Sequence, residues 1–138
     1  MCIRDRYKLG SLRVIGDNAA GGVPLLERAL ALDPAISDAH YYLGKGDAAL
    51  GKNDLAIEHF RLATNPQGTE ELRIMSWYQL ATLYRNLQRT QEAGEALAAF
   101  RKMKTARDQR RESKLQAQTP RRNQLPRQET IPATADLQ

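Results

Sequence analysis

The sequence has little of what builds disulfide-rich, β-rich or membrane-spanning domains. Its one cysteine, Cys2, excludes any disulfide within the chain. Aromatic residues make up only 6% of the 138 residues, and no alternating β-type run stands out. No apolar run approaches the roughly 18 residues of a membrane span, and no secretory apolar segment follows the start. Ala, Leu, Glu, Arg and Gln dominate instead, which predicts an all-α fold.

Positive charge is concentrated at the C-terminal end. Of the 21 Lys and Arg residues, ten lie from Arg101 onward, against four of the 16 acidic residues. The net charge of +5 therefore comes from this basic tail, while the body is close to neutral.

The first six residues, "MCIRDR", resemble the translation of a transposase adapter used in sequencing libraries. Such added segments are excluded from fold reasoning. We therefore expect residues 1–6 to be non-native and the natural chain to begin upstream, so that this sequence would be a C-terminal fragment.

An internal repeat organises the rest of the chain. Leu-small pairs recur at Leu9-Gly10, Leu43-Gly44 and Leu80-Ala81, with steps of 34 and 37 residues. Two further landmark series keep the same two steps: Gly22, Ala56, Ala93 and Ala29, Ala63, Phe100. A period in this range is typical of helical repeats that stack into a solenoid.

These landmarks resemble the tetratricopeptide repeat (TPR), with its W-x2-L-G-x2-Y, A-x3-F and P positions. The resemblance covers about residues 7–104 and implies a TPR-like α-solenoid with units 7–36 (partial), 37–68 and 69–104. We expect a basic helical extension over 105–118 and a disordered tail over 119–138, where prolines and polar residues prevail. The chain looks like the C-terminal end of a longer bacterial-type protein of this family.

The repeat register also predicts which side chains fill the space between helices and between units. Small residues at helix crossings let backbones approach, and larger apolar residues pack around them. These repeat-packing positions are Leu43, Gly44, Ala56, Phe60, Ala63, Trp77, Leu80, Ala81, Tyr84, Ala93, Leu97 and Phe100.

Helix boundaries follow from caps and breakers. We predict helices over 7–15, 23–32, 38–50, 53–64, 69–87 and 90–116, with Pro24 in the first turn of the second helix. Asn53 or Asp54 is predicted to cap the fourth helix and Thr69 the fifth.

Catalytic and cofactor motifs are weak. "GDAALGKN" (46–53) nearly matches a phosphate-binding loop, but Asn53 replaces the required Ser or Thr and the preceding segment is helical by pattern. His40 takes the register of Trp77, and His59 is expected on an outer helix face. We expect no clustered carboxylates beside the two histidines. Glu70 and Glu71 are predicted to lie in the first turn of a helix, where the helix dipole favours carboxylates, and not to act as a catalytic acid and base. We expect no enzyme activity, no cofactor and no metal.

The family resemblance implies that the first helix of each unit lines a concave groove for a peptide or partner helix. Carried over, the register places Tyr41, Lys45, Tyr78, Thr82, Arg85 and Asn86 in this partner groove. Rings would supply contact area and cations would bind carboxylates.

The predicted function is therefore protein–protein interaction, as an adaptor or scaffold. One alternative is a non-catalytic repeat region of a larger enzyme or sensor whose catalytic domain lies upstream. A second alternative is weak polyanion binding through the basic tail, for which salt-dependent retention is the test. The sequence identifies neither the partner nor the compartment, cytoplasmic or periplasmic.

Overall fold

Helices alone form the part of the chain that this computed structural model describes, residues 2–118. Short turns join consecutive helices, so packed neighbours run antiparallel. The all-α prediction is confirmed. The six helices are α1 (Ile3–Ile15), α2 (Ala19–Leu32), α3 (Asp38–Ala49), α4 (Asn53–Ala63), α5 (Glu70–Asn86) and α6 (Thr90–Gln118).

The helices pack as pairs stacked in chain order. α1 packs on α2 and α3 packs on α4, while α3 also covers the first pair and α5 covers the second. This stacking is that of an α-solenoid, in which each unit buries its apolar face against the next.

The first pair departs from the sequence prediction at both helix starts. α1 begins at Ile3 rather than residue 7, and α2 begins at Ala19 rather than residue 23. The cause for α2 is Asn18, whose side-chain oxygen accepts a hydrogen bond from the Gly21 N–H at 3.0 Å and caps the helix early. Pro24 therefore lies inside α2 and not in its first turn.

Close backbone contact holds α1 against α2. A Cβ added at Gly22 would lie 2.6 Å from the carbonyl oxygen of Gly10, so any side chain at this position would force the two helices apart. The glycines at this crossing thus serve packing, and they sit within helices without breaking them.

Two smaller predictions about caps are also corrected. Lys52, not Asn53 or Asp54, precedes the first residue of α4. Thr69 precedes α5 as expected, but its side chain does not cap the helix. Instead the Thr69 N–H donates to the Asp38 carboxylate at 2.8 Å, and the Thr69 hydroxyl also donates to that carboxylate. This contact ties the start of α5 to the start of α3.

The core consists of two clusters. The smaller contains Val14, Val23, Leu26 and Leu43, and it joins the first pair to α3. The larger joins α3, α4, α5 and the first part of α6 around Phe60 and Leu80, which are 0% and 1% exposed. These clusters place the apolar face of each unit against its neighbour.

The chain divides into two units after Met103, and the described residues of the second unit are 104–118. Within the second, the helical residues up to Gln118 are mostly exposed, and Lys104 pairs with Asp108 at 4.0 Å. The tail predicted to be disordered, 119–138, lies outside the described residues. Among residues 2–118, no helix is both long and apolar enough to cross a membrane.

Candidate functional site

One face of α5 carries exposed apolar and cationic side chains. Met75, Tyr78, Thr82 and Arg85 recur at helical spacing and therefore share that face. Met75 is 39% exposed and Tyr78 is 50% exposed. A large aromatic side chain that is half exposed, on a helix whose opposite face lies in the core, marks this face as a candidate contact surface.

A cavity of about 270 Å³ lies between this face and the first turns of α6. The Tyr78 ring lies beside the Phe100 ring, with centres 5.4 Å apart and planes at 55°. The Thr82 hydroxyl donates to the carbonyl of Tyr78 at 3.1 Å, which leaves no strong donor aimed into the cavity from that residue. We call this surface the α5–α6 face; its lining residues are Tyr78, Ala81, Thr82, Arg85, Thr90, Ala93, Gly94 and Leu97.

The charge on the α5–α6 face is positive. Arg85 lines it and is exposed, and its guanidinium makes no hydrogen bond or ion pair within the described residues. No carboxylate is among the lining residues. Arg89 is different, because it binds both oxygens of Glu92 at 2.6 and 2.7 Å and lies 5.0 Å from the centre of the Tyr84 ring. Arg85 is thus the cation that remains open to a partner.

The prediction that Tyr41 lines an open groove is wrong. Tyr41 is only 2% exposed and belongs to the larger core cluster, with its ring 5.8 Å from that of Phe60. Its hydroxyl is buried without a hydrogen-bond partner among the described residues. Burial, with a smaller contribution from Tyr42, raises the pKa of Tyr41 to about 12. The physical reason is that α5 covers the surface on which Tyr41 lies.

The structure brings together three of the six residues predicted for the partner groove. Tyr78, Thr82 and Arg85 line the α5–α6 face. Asn86 is exposed at the end of α5 but does not line the cavity. Lys45 is partly buried, with its Nζ 6.0 Å from the centre of the Tyr41 ring. Gly94 and Thr90 of α6 were missed, because the register assigned the groove to first helices alone.

The residues predicted for repeat packing fall into two groups by burial. Gly44 is buried against the ring of Phe60, where an added Cβ would lie 2.8 Å from the Phe60 Cδ1 and Cε1. Of the twelve residues predicted for repeat packing, eight are buried in the core and four are partly buried at its margin. The buried ones are Leu43, Gly44, Ala56, Phe60, Ala63, Leu80, Ala81 and Tyr84; the others are Trp77, Ala93, Leu97 and Phe100.

The segment that nearly matches a phosphate-binding loop is a helix, a turn and a helix. Gly46 lies within α3, Gly51 takes a left-handed conformation (φ +81°) in the turn, and Asn53 begins α4. A Cβ on Gly46 would lie 2.5 Å from a methyl group of Val23, so this glycine serves the close approach of α3 to α2. The strand that phosphate binding requires before such a loop is not present in this segment.

The two histidines meet, which the sequence did not predict. Their Nδ1 atoms lie 3.0 Å apart, and the ring planes differ by 27°. Because the ring centres are 5.3 Å apart, the rings lie edge to edge with the two nitrogens facing each other, as in a hydrogen bond. Asp47, 4% exposed, approaches the His59 Nε2 at 3.6 Å. His59 is thus partly buried against α3, and the expectation that it lies on an outer helix face is wrong.

Ionisation in this cluster is shifted by burial. Burial lowers the pKa of His40, and His59 lowers it further. Burial raises the pKa of Asp47, against smaller opposing contributions from His59 and Lys52. Within residues 2–118 no group of three or more His, Cys, Asp or Glu side chains is arranged to hold a metal ion.

Comparison with known proteins supports the fold. No protein-family model matches the sequence, and no curated protein matches it either. The crystal structure of MamA, a TPR-like protein, superposes with a TM-score of 0.67 at 22% sequence identity. The match covers 78% of this chain, which spans 61% of the MamA chain. The chain is thus a TPR-like α-solenoid, as its repeat landmarks predict.

Proposed function

We propose that this chain is a protein–protein interaction module, an adaptor or scaffold, that binds its partner on the α5–α6 face. The observation that carries the proposal is Tyr78, which is 50% exposed beside an open cavity. Tyrosine supplies contact area at low cost in side-chain entropy, and arginine supplies charge-assisted hydrogen bonds. Both residue types are enriched among the residues that dominate binding energy at protein interfaces.

The fold suits this role. Stacked helical repeats present extended surfaces for binding, and the helix that carries Tyr78 is held by packing of Leu80 and Tyr84 in the core. The proposed site is therefore rigid before a partner arrives, which limits the entropy lost on binding.

Affinity capture from cells of the source organism tests the proposal. The chain serves as bait beside a variant carrying both Tyr78→Ala and Arg85→Ala, which we expect to lose specific partners. Both side chains are exposed, so the double variant should keep the fold, and circular dichroism checks this. Leu62→Ala, at a 48% exposed position on α4, is the matched control and should capture normally. Equal capture by the double variant would contradict the proposal.

A further inference from the structure

The α5–α6 face has a covered counterpart in the preceding repeat. A step of 37 residues relates Tyr41 to Tyr78 and also relates Ile57 to Gly94. Tyr41 is 2% exposed and Ile57 is 6% exposed, because α5 packs over the α3–α4 pair. Tyr78 is 50% exposed, and a Cβ added at Gly94 would meet nothing within 4 Å. The same surface thus occurs twice, once covered and once open.

An α-helix is what covers such a surface in this molecule. α3 packs over the α1–α2 pair, where Leu43 joins the cluster of Val14, Val23 and Leu26. α5 packs over the α3–α4 pair in the same way, and Leu80 and Leu83 join the cluster of Tyr41. An open surface at the equivalent place on the next pair of helices can accept a third helix in the same way.

The open face carries its cation at a different position from its covered counterpart, which has Lys45 where the open face has Thr82. Arg85 stands where the covered face has Ala48, and Arg101 follows Leu97 by one helical turn on α6. Both arginines are exposed, and no carboxylate lines the cavity. A helix that buried Arg85 without an acidic partner would leave an unpaired charge, which is costly. The helix that fits therefore carries acidic residues beside its apolar stripe.

The described chain does not supply this helix. α2 and α4 end at Leu32 and Ala63, and the next helix begins within seven residues at Asp38 and Glu70. α6 instead continues past Phe100 without a break to Gln118. Within residues 2–118, no turn follows the third pair that could bring another helix onto it.

We infer that the α5–α6 face binds an acidic amphipathic α-helix of another protein, seated as α5 is seated on the α3–α4 pair. This inference rests on the proposed function and specifies the partner's chemistry. Antiparallel neighbours make α3 and α5 run in the same direction, so the bound helix runs parallel to α5. Its C-terminal end then lies beside Arg85, which is itself in the last turn of α5.

The sequence of α5 provides the probe, because α5 is the helix that covers the equivalent face. A fluorescent peptide of residues 69–87 with Arg85→Glu and Asn86→Glu is the acidic probe. The matched basic peptide keeps Arg85 and carries Asn86→Lys. A third peptide adds Ala81→Pro to the acidic probe and cannot form a continuous helix. Fluorescence anisotropy measures the binding of each to the full chain.

We expect the acidic peptide to bind at least about tenfold more tightly than the basic and proline peptides, in line with the cost of like charges at an interface. Arg85→Glu in the chain should reverse the preference between acidic and basic peptides. Gly94→Trp, which fills the cavity without altering Tyr78 or Arg85, should abolish binding. Arg28→Glu, an exposed charge reversal on α2, should change nothing.

Equal binding of acidic and basic peptides, or binding that persists with the proline peptide, would overturn the inference. Failure of all three peptides to bind would overturn it as well. If affinity capture still depended on Tyr78 and Arg85 in that case, the interaction function would stand with a different partner chemistry. A dimer seen in sedimentation equilibrium, and abolished by Gly94→Trp, would also overturn the inference. In that case a second copy of the chain would cover this face.

Discussion

His40 on α3 and His59 on α4 face each other through their Nδ1 atoms at 3.0 Å. A hydrogen bond between two imidazole nitrogens needs one donor and one acceptor, so the pair is disrupted when both rings carry a proton on Nδ1. The chain has two histidines in total, and both belong to this contact. The contact therefore links the packing of α3 on α4 to pH.

Stability should fall on mild acidification. The pKa of His40 is lowered from its ordinary value of 6.5, by burial first and then by His59. A lowered histidine pKa means that the folded chain favours the neutral ring, so this stability is present above pH 6.5 and is lost as the pH falls below it. Urea unfolding from pH 7.5 to 5 should show a declining free energy of unfolding.

His40→Gln should flatten that decline, because Gln keeps hydrogen-bonding capacity without titrating. Asp47 is measured separately with Asp47→Asn, since its raised pKa acts in the opposite direction as the pH falls. A decline of unchanged slope in His40→Gln would show that the histidine contact does not carry the effect.

Tyr41→Phe should stabilise the fold. The Tyr41 hydroxyl is buried without a partner within the described residues, and removing such a group relieves its desolvation cost. We expect a gain of about 1 kcal/mol in the free energy of unfolding, measured by chemical denaturation. Tyr78→Phe is the matched control one repeat later, and its exposed hydroxyl should matter by less than about 0.5 kcal/mol. Destabilisation by Tyr41→Phe would contradict the prediction, because it would show that the Tyr41 hydroxyl forms a hydrogen bond in the folded chain.

The register explains why the sequence placed both tyrosines in one groove. A step of 37 residues identifies Tyr41 and Tyr78 as equivalent positions, and the structure keeps that equivalence. The step does not show which copy the next helix covers, since that depends on where the stack ends. The helices could be predicted because apolar periodicity is a local property of the sequence. Which helix face is covered could not be predicted, because it depends on tertiary packing.

Two other features were beyond sequence reasoning. His40 and His59 lie 19 residues apart on different helices, and only the crossing of α3 with α4 brings their nitrogens together. The early start of α2 depends on the Asn18 cap, whereas the Gly-Gly-Val-Pro segment indicated a later start. α3 starts at Asp38, as the predicted boundary has it, and α5 starts at Glu70, directly after Thr69.

Gly44→Ala and Gly94→Ala should have opposite effects. Alanine favours helix over glycine by about 1 kcal/mol at either position. At Gly44 the added Cβ would lie 2.8 Å from the Phe60 ring, and overpacking of a core costs about 1–3 kcal/mol. We therefore expect Gly44→Ala to destabilise, and Gly94→Ala, which meets open space, to stabilise by up to about 1 kcal/mol. Thermal denaturation compares them, and equal shifts would contradict the difference in packing between these two sites.

Site-specific photo-crosslinking from position 78 shows directly whether a partner protein contacts the α5–α6 face. A photoreactive phenylalanine analogue replaces Tyr78 in one bait and Leu62, exposed on α4, in the control. We expect another protein to be crosslinked from position 78 and not from position 62, and we expect Gly94→Trp in the same bait to remove the product. Crosslinking at equal yield from both positions, or none from position 78, would contradict the assignment of the α5–α6 face as the binding surface.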